Sequence, residues 1–173
     1  MTAVLIHPSQ GKGDGLVNAD VSLKNPVVWA DRPDLLPTLV ADQRMALQRR
    51  YETEARIWGT YRANLPKYKK VTEGDLVVFT GGGGIWALGR IGYQFSNDRF
   101  AAALWTPDEE KGLYEFQYAV EDYRPVELPY ALLSEALGHK AKSTFQAMVV
   151  YEGERADTVV QALTAATGSA TDD

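Results

Sequence analysis

Cysteine is absent from all 173 residues of this chain. That excludes disulfides, thiol nucleophiles and cysteine-ligated zinc, and it suits a reducing compartment. Histidine is nearly as scarce: His7 and His139 are the two, they lie far apart, and neither sits in a metal-ligand spacing such as His-Glu-x-x-His. No metal and no cofactor are expected. No serine has a nucleophile-elbow context, and the acidic neighbours Asp108-Glu109-Glu110 and Glu121-Asp122 read as solvated turns. The sequence therefore reads as that of a non-enzyme. No apolar run approaches the length of a membrane span, and the start Met1-Thr2-Ala3-Val4-Leu5-Ile6-His7 lacks the charged head and long apolar core of a signal peptide. A cytoplasmic protein with no membrane contact is expected.

What is present is the composition of one globular domain, 45% hydrophobic and 24% charged, large enough to bury a core. The domain is expected over residues 1–165. A small, polar, disordered tail is expected over 166–173. The net charge of -5 argues against coating nucleic acid by bulk electrostatics, but the charge is unevenly spread. Between positions 49 and 70, Arg49, Arg50, Arg56, Arg62, Lys67, Lys69 and Lys70 face only Glu52 and Glu54. A local basic patch on an acidic body follows, although such a run by itself is equally the solvated end of a helix and its loop.

Periodicity gives a mixed α/β chain. Residues 3–7 read as a short buried strand bounded by Pro8 and the loop Gly11-Lys12-Gly13-Asp14-Gly15. Those glycines do not make a phosphate loop, since Leu16-Val17-Asn18 follows with no helix signal where a Walker motif needs Gly-Lys-Ser/Thr opening a helix. Leu36, Val40, Leu47 and Tyr51 mark one face of a helix over 33–52. Strands are predicted at 56–59, 76–80, 85–95, 113–120 and 126–128, with Gly81 to Gly84 as a tight hairpin. Asn97 is placed as the N-cap of a helix through Trp105. A helix over 130–137 ends at Gly138, and a strand near 147–151 precedes a helix near 154–163. Short turns between the central strands suggest a bent, partly closed β-barrel with helices at its ends.

The feature that speaks to function is Ile57-Trp58-Gly59-Thr60, followed by Gly74-Asp75-Leu76-Val77-Val78-Phe79-Thr80 and Ile85-Trp86-Ala87-Leu88-Gly89-Arg90-Ile91. A tryptophan on a small-residue turn beside a sheet need not pack into the core, and an exposed flat ring suits a flat ligand. Together with Asn25-Pro26-Val27, Leu104-Trp105, the run Tyr114-Glu115-Phe116-Gln117-Tyr118-Ala119-Val120 and Arg124-Pro125-Val126-Glu127-Leu128-Pro129-Tyr130, the order resembles the EVE/YTH branch of the PUA-like superfamily. More narrowly, it resembles the EVE-like modules at the front of modification-dependent restriction endonucleases. The resemblance runs over about residues 4–151 and rests on order and spacing.

That resemblance implies an α+β, PUA-like fold of about five to six strands flanked by helices, and a non-enzymatic reader that holds a flipped modified base, methylated cytosine or similar, between aromatic rings. Carried over by motif, Trp58 is one wall, Gly59 and Thr60 follow it with Thr60 near the base edge, and Trp105 is the second wall by order along the chain. Asn25 and Trp86 are the further base-site candidates, each with an ordinary reading beside it: a turn residue before proline, and a core or pocket-floor ring. Trp29 and the alternating Tyr114, Phe116 and Tyr118 read first as core. Arg62, Lys67, Lys69 and Lys70 are expected to meet the phosphates.

The partner so implied is nucleic acid with modified bases, DNA before RNA, with a partner nuclease in a restriction or defence system. No nuclease domain follows residue 163, so either a stand-alone reader or the specificity piece of a longer protein is expected. The competing reading is a PUA-like module that binds a free modified nucleobase or nucleotide, or a protein partner.

Overall fold

Strict alternation along the first strand sets the architecture. The computed structural model describes residues 2–10, 14–140 and 142–168. In β1 (Ala3–Gln10), Val4 and Ile6 pack with one hydrophobic cluster, while Ala3 and Leu5 join another on the opposite face. Side chains two apart on a strand share a face, so His7 and Ser9 continue the side of Ala3 and Leu5. β4 (Leu76–Gly81) repeats the division: Leu76 and Val78 pack with Val4 and Ile6, and Val77 and Phe79 with Leu5. β1 lies between β4, to which it is parallel, and the antiparallel β7 (Val149–Glu152).

The chain is α+β, as expected, with a sheet of seven strands where five to six were anticipated. Their order is β2-β3-β6-β5-β4-β1-β7, with β2 (Val27–Val28), β3 (Glu54–Thr60), β5 (Gly84–Ser96) and β6 (Phe116–Pro129) completing the set. The sheet is not closed: β2 and β7 are its two ends. Register shifts along β5 and β6 bend it, as bulges do. The glycine hairpin is as read, with Gly81 opposite Gly84 and Gly82 and Gly83 at φ 60 and 87, angles glycine adopts at little cost.

Three departures from the sequence reading have local causes. Residues 113–120 and 126–128 do not form two strands: pairing begins at Phe116 and continues through Pro129 in β6, with Pro125 admitted at a register shift where a missing amide is tolerated. The helix over 33–52 is broken. A 3-10 turn, Leu36–Thr38, is followed by α2 (Ala41–Arg50), because Pro37 lacks the amide a continuous helix needs. The segment taken to lack helix signal contains α1 (Asp14–Ala19), continued by a π-helical turn, Asp20–Lys24.

The remaining helices are α3 (Leu65–Tyr68), α4 (Asp98–Leu104), α5 (Ala131–Leu137) and α6 (Glu154–Thr167). α5 and α6 bury Leu133, Leu137, Val159 and Leu163 against Val4 and Ile6. α2 and α4 bury Leu47, Phe100 and Leu104 with Ile57 and Phe95. α6 runs past the boundary expected at residue 165, and the expected disordered tail lies outside the described residues from 169 onward.

Candidate functional site

β3 is paired antiparallel to β6 with Trp58 opposite Tyr118, so the two side chains are cross-strand neighbours on one face. His7 of β1 reaches the same place from across the sheet. Its ring lies 6.1 Å from Trp58, edge-on at 67°, and 5.9 Å from Tyr118. Beyond Trp58 the aromatic row continues through Trp105 at 6.1 Å and 76°, then Tyr114 at 6.1 Å and 81°, then Tyr61 at 6.0 Å. The rings of His7, Trp58, Trp105, Tyr114 and Tyr61 border a cavity of about 430 Å³, with Tyr118 behind them, and its other walls include Ser9, Asn18, Thr60 and Met148, with Lys67, Asp108 and Lys111 among the charged groups. That volume falls in the range of about 300–1,000 Å³ usual for small-ligand sites.

Hydrogen bonds fix the walls. Trp105 Nε1 donates to Ser22 Oγ at 2.8 Å, and Ser22 Oγ donates to the Asn18 carbonyl at 3.3 Å. Asn18 also bonds the Thr106 backbone in both directions, accepting from its amide and donating to its carbonyl. α1 and the π-helical turn thus clamp the segment that carries Trp105. Thr60 Oγ1 accepts from Asn64 Nδ2 at 2.9 Å, and Lys111 Nζ donates to Tyr61 Oη at 3.0 Å. A Cβ on Gly59 would meet the Trp105 ring at 3.0 Å and the Tyr114 carbonyl oxygen at 3.0 Å. That close approach is why glycine follows Trp58.

Of the residues singled out in the sequence, Trp58, Gly59, Thr60, Trp105 and Lys67 come together at this cavity. Trp58 is not the exposed ring its turn suggested: it is 6% exposed and belongs to a core cluster. Its buried Nε1 finds no hydrogen-bond partner among the described residues. Trp58 and Trp105 also touch nearly at right angles, so they are not two parallel walls with a ring-width gap. Trp86 lies apart, half-buried against Phe79, its Nε1 donating to Ser9 Oγ at 2.9 Å, beside a shallow groove along the glycine hairpin. Asn25 is exposed and closes the π-helical turn by donating to the Asp20 carbonyl. Trp29 is core, with Nε1 on the Tyr51 carbonyl.

The basic patch is partly neutralised. Arg62 pairs with Glu115 at 2.7 Å, Arg50 bridges Glu73 and Glu121, and Arg56 lies over the Tyr123 ring. Lys69 and Lys70 are exposed and unpaired among the described residues.

Sequence reasoning missed His7, Tyr61, Tyr114 and Lys111. For His7 a signal existed: it continues the Ala3 and Leu5 face of a buried strand. The side chain is 5% exposed, its Nδ1 lies 2.7 Å from Tyr118 Oη, and burial pushes the imidazole down to about 3, since desolvation disfavours the charged form.

No protein-family model matches the sequence, and no curated protein matches it. Among solved structures, the chain is similar to the N-terminal domain of Thermococcus gammatolerans McrB, described as bound to m5C DNA, with a TM-score of 0.71 at 15% identity. The superposition covers 96% of this chain and 99% of that one. The two domains share a fold. Among the described residues, no helix is long and apolar enough to cross a membrane.

Proposed function

We propose that this chain is a non-enzymatic reader of modified bases in DNA, which takes a flipped base, methylated cytosine or similar, into the cavity bordered by Trp58, Tyr61, Trp105 and Tyr114. The observation that carries this reading is that aromatic cavity of about 430 Å³ on a fold shared with a domain bound to m5C DNA. Extruding a base costs a few kcal/mol, and stacking on an aromatic face restores about 1–3 kcal/mol per base. A methyl group adds roughly 0.8 kcal/mol of burial, so discrimination by the methyl alone is modest.

Because Trp58 and Trp105 meet edge to face, the base stacks against one ring rather than between those two. Tyr61 and Tyr114, both half-buried, supply further apolar surface. Gly59 allows Trp105 its close approach, and Thr60 stands near the base edge. Lys67 and Lys111 border the cavity, with Lys69 and Lys70 beyond it for flanking phosphates. Asn25 and Trp86 lie outside the cavity and have no part in this proposal. A reader of this kind acts through a partner, and a nuclease of a restriction system fits the fold's company.

The test is a binding panel of oligonucleotides carrying methylated cytosine, hydroxymethylated cytosine, methylated adenine or no modification, as single and double strands. A preference for one modified base that is lost in Tyr61→Ala, with affinity falling about 10-fold, is expected. Equal affinity for all members overturns the reading. Tight binding of a free nucleobase derivative with no salt dependence supports the free-ligand alternative instead.

A further inference from the structure

We propose that His7 is a specificity-determining residue of the cavity, presenting a neutral Nε2–H donor that selects an occupant with a hydrogen-bond acceptor, such as the ring nitrogen or carbonyl oxygen of a nucleobase, over an anion. This rests on the reading of the cavity as a base site and adds to it the group that reads the base edge.

Tyr118 sets the tautomer of His7. Its side chain is 0% exposed, and burial raises its phenol well above the ordinary value, so the hydroxyl keeps its proton. Among the described residues that hydroxyl has a single hydrogen-bond partner, His7 Nδ1 at 2.7 Å. A buried donor without an acceptor is costly, and Nδ1 is the acceptor available. The phenol therefore donates to Nδ1, and a neutral imidazole whose Nδ1 accepts carries its hydrogen on Nε2.

Nε2 is the nitrogen left for a ligand. The His7 ring lines the cavity, and among the described residues Nε2 has no hydrogen-bond partner and is not sealed off by burial as Trp58 Nε1 is, which leaves it facing the cavity. Trp58, edge-on at 6.1 Å, and the bond to Tyr118 hold the ring in place.

The donor is uncharged because burial keeps the imidazole neutral at physiological pH. Tyr118 is the titratable group in contact with it, and the charged groups bordering the cavity, Lys67, Asp108 and Lys111, make no ion pair with it. A neutral donor aligns with the acceptors of a base but offers a phosphate no ionic attraction, which leaves phosphates to the rim lysines.

The experiment compares the wild-type protein with His7→Phe/Tyr118→Phe, which removes both polar partners and leaves no orphaned hydroxyl in the core, and with His7→Gln, which keeps an N–H donor. Affinities for the preferred modified oligonucleotide and its unmodified counterpart are measured alongside thermal unfolding. Nitrogen-15 NMR of the free wild-type protein reports the tautomer and titration of His7. The expected results are a hydrogen on Nε2, no titration of the ring between pH 5 and 8, and about a 3- to 10-fold loss for the modified oligonucleotide in the double variant. His7→Gln is expected to recover part of that loss, and unmodified binding to change little.

A hydrogen on Nδ1, titration near the ordinary histidine value, or a folded double variant with undiminished preference overturns the role of His7 while leaving the base-reader proposal standing. A wild-type protein that prefers no modified base overturns that proposal, and this one with it.

Discussion

Trp58 is core and cavity wall at once, and that dual placement decides how it can be tested. With 6% of its surface exposed and a place in the core cluster that also holds Leu5, Phe79 and Tyr118, Trp58→Ala is expected to destabilise the fold by about 3–5 kcal/mol, measured by chemical denaturation. Loss of binding in that variant would not separate a wall from a core residue, whereas Tyr61→Ala, at a half-exposed site, is expected to stay within about 1 kcal/mol of wild type. His7 gives a pH signature. Its value in the folded chain is about 3 against an ordinary 6.5, so between those limits the unfolded chain binds more protons and stability falls as pH drops. The slope from this residue is up to about 1.4 kcal/mol per pH unit, and denaturation between pH 7 and 5 should show it shrinking in His7→Gln. Residue order brought Trp58 and Trp105 forward because Trp58 lies near the end of β3 and Trp105 just past the end of α4, ends that the pattern located. It missed His7 because a lone histidine was weighed only as a metal ligand or catalyst, and its partner Tyr118 is 111 residues away.

At the scale of elements, what was legible is what repeats locally. Asn97 caps α4 as expected, accepting from Phe100 N at 2.8 Å, and Gly138 at φ 67 ends α5. Asn97 does more than cap. Its Nδ2 donates to the Thr38 carbonyl and to Gln43 Oε1, while its amide and carbonyl bond the Gln117 side chain. The side chain thus joins α2 to α4, and the backbone of the same residue ties both to β6. Asn97→Ala is therefore expected to cost about 2–3 kcal/mol, above the roughly 1 kcal/mol of a cap alone, and thermal unfolding would reveal it. The helix over 33–52 failed for an equally local reason, Pro37, which was visible. The α1 and π-helical segment was not visible. Leu16, Val17 and Val21 are exposed while Asn18, Ala19, Ser22 and Leu23 are buried, so its inward face is partly polar and hydrogen-bonded to Thr106 and Trp105. Apolar periodicity carries no trace of a face held by side-chain amides and hydroxyls.

Charge belongs to the whole molecule, and the fold redistributes what the sequence had placed together. Of the seven cations between positions 49 and 70, Arg50, Arg56 and Arg62 are engaged by Glu73, Glu121, Tyr123 and Glu115, partners contributed by distant strands and turns that no linear count could supply. Lys69 and Lys70 remain exposed, with Lys67 and Lys111 at the cavity. If the cavity takes a base from a polymer, these lysines neutralise phosphates, and each contact adds about 0.7–0.9 to the slope of log affinity against log salt, the lower value applying to single strands. Lys69→Gln/Lys70→Gln is expected to flatten that slope accordingly and to weaken modified and unmodified oligonucleotides by the same factor, because phosphate contacts carry no base information. Arg62→Gln is expected to change the slope far less, since Glu115 already holds that guanidinium. An unchanged slope in the double variant, measured by titration from 50 to 200 mM salt, would remove the lysine surface from the binding face and, if the slope is flat in the wild type as well, would mean that the ligand is not a polymer.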